Sequence, residues 1–182
     1  MKRLTIILGL ILSLCFLTAC GDDVVDTNQS EEGKAITKEV GGPFSASEFK
    51  KFLTDLPSIP GLTAKSQEGM EAPVNGAMLS AKVMGAVDDL GWEPERFMYI
   101  YSHATAMLNI EQMEEMSKQM TAQMNGMPDA QKKMMEQMMA EQIGNQMDAF
   151  KADVDKQVPT SEQEIIRDNM DGLYSALGLT KS

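Results

Sequence analysis

Histidine occurs once in this chain of 182 residues, tryptophan once, cysteine twice, and aromatic side chains make up only 5% of it. A single histidine, His103, excludes multi-histidine metal centres, and neither HExxH nor the ExxH of a di-iron bundle is present. Both cysteines, Cys15 and Cys20, lie within the first twenty residues. The remainder therefore has no disulfide, no cysteine zinc site, no thiol nucleophile and no CxxC redox pair. There is no Walker loop and no GxSxG, and the acids near Glu111 and Asp148 lack calcium-loop spacing. His103 has no serine or cysteine motif beside it and reads as a partly buried structural residue. Positive charge is scarce too: 16 basic residues stand against 27 acidic ones, which disfavours nucleic acid and anionic headgroups as partners. These absences point away from an enzyme, and no cofactor is expected.

The N-terminus is richer in information. Lys2 and Arg3 precede an apolar run from Leu4 to Phe16, followed by Leu17-Thr18-Ala19-Cys20. This is the three-part form of an export signal, and its apolar run is shorter than the roughly 18–20 residues of a membrane-spanning helix. The closing tetrad resembles the lipobox of bacterial lipoproteins. That resemblance implies cleavage of residues 1–19, lipidation of Cys20 and a cell-envelope location, with the membrane as a partner through the lipid. Two or three acyl chains, at about 0.8 kcal/mol per buried CH₂, make such attachment stable. Gly21, in place of an inner-membrane aspartate signal, implies the outer membrane facing the periplasm in preference to the inner membrane. Losing Lys2 and Arg3 moves the net charge from −11 to −13.

Residues 20–43 are acidic and rich in Ser, Thr and Gly, with little hydrophobic periodicity. They are expected to be a flexible tether reaching roughly 25 Å. Residues 44–182 are expected to form one all-α domain of about five helices. Ser45 and Glu48 have the capping-box spacing and open a first helix to about Asp55. Residues 57–73 hold Pro57, Pro60 and Pro73 and read as a connector. A second helix runs from about Val74 to Leu90, with Gly91 as its C′ residue. Pro94 opens a long third helix, with Trp92 placed to staple onto Phe97. Asn125, Gly126 and Pro128 stop it, a fourth helix spans about Asp129 to Gln157, and Ser161 with Glu164 opens a last helix ending at Gly178. The two long helices form an antiparallel helical hairpin.

Methionine is the one abundance. Eleven of the 17 methionines lie between Met107 and Met147. At about 100° per residue, Phe97, Ile100, Tyr101, Ala104 and Leu108 share one face of the long helix, whereas Met113, Met116, Met120, Met124 and Met127 share a face about 140° away. The apolar side thus changes near Asn109. Met134, Met135, Met138 and Met139 put a matching stripe on the returning helix, continued by Ile143, Met147 and Phe150. Three readings stand side by side. The methionines are the hairpin's own adaptable core; or Met113, Met116, Met120, Met124, Met127, Met134, Met135, Met138 and Met139 receive an envelope protein partner, a peptide or lipid, or a second copy of the chain in a homodimer; or Met113, Met116, Met120, Met134 and Met138 capture a soft metal such as Cu(I). The leading expectation is a non-enzymatic, membrane-tethered lipoprotein that binds a partner through the Met-rich hairpin, with soft-metal or small-ligand binding as the alternative.

Overall fold

The computed structural model describes residues 28–64, 66, 76–124, 127–139 and 144–181, and every described element is helical. The elements are α1 (Glu31–Glu39), α2 (Ala46–Asp55), a 3-10 turn (Leu56–Ser58), α3 (Gly76–Asp89), α4 (Pro94–Met124), α5 (Asp129–Met139), α6 (Asn145–Gln157), α7 (Thr160–Asp168) and α8 (Met170–Leu177). The all-α class and the long third helix of the sequence reading are present, but the described helices outnumber the five expected. The export signal and Cys20 lie outside the described residues. Among the described residues no helix is long and apolar enough to cross a membrane.

Helix α4 is the axis, with α2, α3, α6, α7 and α8 packed on it. Its start follows the local chemistry: Pro94 occupies the first helical position, where a missing N–H costs nothing. Trp92 meets Phe97 edge to face with centroids 5.6 Å apart, and the Trp92 indole N–H donates to Asp55 at 2.8 Å. Gly91, at φ 75°, lets the chain leave α3 through the paired bonds Gly91 N–H to Asp88 O and Trp92 N–H to Val87 O, a left-handed turn that a side chain would strain. The core is an aromatic row, Phe44, Phe49, Phe52, Phe97 and Trp92, joined to Ile100, Leu108, Ile166 and Leu173. Burying one such side chain contributes about 1.5–3 kcal/mol.

Three expectations are corrected. The tether is not featureless, because residues 31–39 form α1. Ser30 caps that helix, its hydroxyl accepting from Gly33 N–H at 3.1 Å. Helix α1 has almost no apolar face and leaves Ile36 47% exposed, so hydrophobic periodicity could not reveal it. Polar contacts dock it instead: Ser30 N–H donates to Lys156 O at 2.8 Å and Gln29 Nε2 to Gln157 O at 2.9 Å. The capping boxes also differ from expectation. Glu48 N–H donates to Ser45 Oγ as expected, at 3.2 Å, but the Glu48 carboxylate leaves the cap and grips Arg96 at 2.7 and 2.8 Å. The second box does not form. Helix α7 starts at Thr160, and the Pro159 carbonyl accepts from both Glu162 and Gln163 N–H. Finally, the last helix is two. At Asn169 the side-chain amide donates to Ile165 O at 2.8 Å, a local bond that competes with helix continuation.

The expected helix over 129–157 is described as α5 and α6, residues 140–143 lying outside the described set. Helix α6 runs antiparallel to α4, since Glu114 pairs with Lys151 at 2.6 Å and Tyr99 and His103 meet Glu162, beyond its far end. Helix α5 shows no comparable packing on another described element.

Candidate functional site

The predicted methionine surface comes first. Met113 and Met116, with Asn109 and Gln112, face Gln146 and Phe150 of α6 across an open groove of about 580 Å³. Met116 is 52% exposed and Met134 67% exposed, both large values for apolar side chains. Met120, Met127 and Met135 are half-buried. Met124 is a correction to the partner-facing set: it is buried where α4 ends, and Met127 N–H turns back onto its carbonyl at 3.1 Å. The side chains of Met138 and Met139 lie outside the described residues. Among the described residues the groove thus gathers Met113 and Met116, with Met134 exposed on another helix. Among the described residues no group of three or more His, Cys, Asp or Glu side chains is placed to hold a metal ion.

A second arrangement escaped sequence reasoning. Glu162, in the first turn of α7, is completely buried. Its Oε1 accepts from Phe44 N–H at 2.9 Å and from the Tyr99 hydroxyl at 3.0 Å. Its Oε2 lies 2.6 Å from Nδ1 of His103. A relay extends outward: Gln29 Nε2 donates to Thr37 Oγ1 at 2.8 Å, and Thr37 bonds the Tyr99 hydroxyl at 2.9 Å. Since the Tyr99 proton goes to Glu162, the Thr37 hydroxyl is the donor in that pair. Burial, then the Glu162 charge, push the Tyr99 phenol well above its ordinary pKa. Arg96 stands over the Tyr99 ring at 5.5 Å and donates to Val40 O and Gly42 O at 3.1 and 2.6 Å. Its bonds to Glu48 lower that carboxyl's pKa and raise that of the guanidinium.

His103 sits about 120° from the centre of the Phe97 face, a flank that becomes interior because α1 and α7 cover it. One nitrogen accounts for its bond to Glu162. For Nε2 there is no protein partner among the described residues, yet no fully buried side-chain nitrogen or oxygen among them lacks one. Nε2 therefore reaches open space, which is a cleft of about 620 Å³ between α1, α4 and α6, lined by His103, Tyr99 and Ser102. Among the sequence features only the lone histidine on an apolar helix hinted at this cluster. Glu162 and Thr37 carried no signal, since their roles depend on helices far apart in the chain.

The chain matches no family model, no curated protein and no solved structure.

Proposed function

We propose that this chain is an envelope lipoprotein, held to the membrane by lipid on Cys20, whose helical domain binds another macromolecule through the methionine groove of α4 and α6. The observation that carries this reading is the exposure of Met116 beside Met113 and Phe150 along an open groove. Unbranched, polarizable side chains adapt to varied apolar surfaces, and exposed apolar grooves edged by polar groups mark interaction sites. Asn109, Gln112 and Gln146 provide that polar edge. The partner that fits is a protein segment presenting an apolar helical face, laid between α4 and α6. The lipobox-like tetrad at Cys20 and the acidic charge support a tethered domain working in an aqueous compartment, not one lying on anionic headgroups.

The test is a photo-activated crosslinking residue placed at Met116 in producing cells, with Ser175 on the exposed side of α8 as the control position. A discrete adduct from position 116 that is absent at 175, and that disappears when Met113 is changed to Lys, supports the reading. Equal or diffuse adducts at both positions remove it. Changing Cys20 to Ser should shift the protein from the membrane to the soluble fraction, and unchanged membrane retention would refute the anchor.

A further inference from the structure

We propose that the cleft beneath α1 is a second binding site, for an ammonium group carried on an apolar body, with Nε2 of His103 as the acceptor. The tautomer follows from the neighbours. Glu162 Oε1 already receives two donors, and Oε2 faces Nδ1 at 2.6 Å, so the proton shared with the carboxylate sits on Nδ1. In the uncharged form that would receive the ammonium, the imidazole so held presents Nε2 as a lone pair. His103 is only 8% exposed, and that small remainder opens into the cleft. An acceptor nine-tenths buried, with no donor among the described residues, is matched by a ligand N–H.

The walls and the charges set the rest of the ligand. Ile36, Met98, Ala106 and Val158 line the cleft, which at about 620 Å³ is within the usual range for small-molecule sites. Its charged lining is Glu32, Glu95, Asp153 and Lys156. Lys156 pairs with Asp153 at 3.2 Å, leaving Glu32 and Glu95 as the unbalanced charges, with Glu162 behind the imidazole. The nearby Arg96 is neutralised by the two-pronged grip of Glu48. An anion would meet three carboxylates here, whereas a cation is favoured by all of them. Ser102 sends its proton to the Tyr99 carbonyl at 2.8 Å, so its oxygen adds a second acceptor at the wall. The shared chemistry is an alkylammonium, whether a free amine or the lysine side chain of a protein.

Because His103 is the only histidine, nitrogen-15 NMR of the full-length chain in detergent micelles reads its imidazole without ambiguity. The probes are phenethylammonium, its neutral counterpart 2-phenylethanol, and the peptide acetyl-Leu-Lys-Leu-amide. The expected result is a protonated Nδ1 and bare Nε2 in the unliganded chain, with a saturable Nε2 shift on adding phenethylammonium or the peptide and none with the alcohol. Tighter binding of the peptide assigns the source to protein lysine, and tighter binding of the amine assigns it to a free ligand. Changing both Glu32 and Glu95 to Gln, at exposed positions that leave the core intact, should weaken binding by about 3–10-fold at low salt. A proton on Nε2 in the unliganded chain, no saturation by about 10 mM of either ammonium, equal binding of the alcohol, or no loss in the double variant would each overturn the proposal. Crosslinking at Met116 is independent of all these outcomes.

Discussion

The two halves of α4 belong to one unbroken helix yet live in different surroundings. From Phe97 to Leu108 the helix is enclosed, with Tyr99, Ile100, His103, Ala104 and Met107 also buried. From Asn109 onward Met124 alone is buried, and Met116 stands open. The first half is closed in by α2, α3 and α7, with α1 over the flank. The second half has α6 along one side and Tyr174 of α8 beside Gln112, Glu115 and Met116 on another, with open grooves at both. A helix covered by two elements along separate stripes leaves the surface between them to flexible methionines. Enclosure thus tracks the number of covering elements, not the hydrophobicity of the helix itself.

Four substitutions break or sharpen this contrast. The largest effect is expected from Phe97→Ala in the enclosed half, where Phe97 is fully buried against Phe52 and Trp92. It should cost about 3–5 kcal/mol by urea denaturation; a loss below about 1 kcal/mol would show that the aromatic row is not the core. Gly33→Ala tests the cover given by α1. A Cβ there would meet the Lys156 carbonyl at 2.6 Å and the Gln157 Cα at 3.3 Å, both backbone atoms. Overpacking of this kind costs about 1–3 kcal/mol. It should appear as lost amide-exchange protection in residues 31–39 while α4 keeps its own, and unchanged protection would mean that α1 is not docked as described.

Tyr99→Phe addresses the polar joint between the layers. It removes the hydroxyl between Thr37 and Glu162, costing about 1–2 kcal/mol near neutral pH. Its alkaline behaviour is more specific. The unfolded phenol loses its proton near the ordinary value of 10.0, while folded Tyr99 keeps its proton to higher pH. Above that value the unfolded state binds fewer protons, so stability falls as pH rises. Below it, this contribution is fully present. Part of the alkaline loss should vanish in the phenylalanine variant; an identical fall in both proteins would place the effect elsewhere, Tyr101 and Tyr174 also having raised values. The smallest effect belongs to Met116→Lys. At an exposed position the change should stay within about 0.5 kcal/mol, and unfolding of this variant would show that the open half is core after all.

Much of the architecture was readable before any coordinates. The proline start at Pro94, the Trp92 staple, the left-handed exits at Gly91 and Gly178 and the change of environment at Asn109 all depend on residues near one another in the chain. Local conformational preference and helical spacing suffice for those. Helix α1 was not readable, because it is held by Gln29, Ser30 and Thr37 through hydrogen bonds to distant partners. The break at Asn169 was missed for a different reason: its amide had a helical alternative, and only the bond to the Ile165 carbonyl tipped the balance. The Met groove was readable as a stripe, but not its width or which methionines it admits, since Met124 and Met116 share a face and differ wholly in burial.

By itself the sequence determined the helical class, the positions of the principal starts and stops, and the methionine-rich stretch beyond Asn109, because all three arise from interactions within a few turns of the chain. Only the tertiary structure decided that Glu162 meets His103, that Tyr99 connects them to α1, and that one imidazole nitrogen is left facing a cleft. Those pairings span 59 and 63 residues. A buried carboxylate's partners are chosen by which helices converge on it, and no local pattern encodes that convergence.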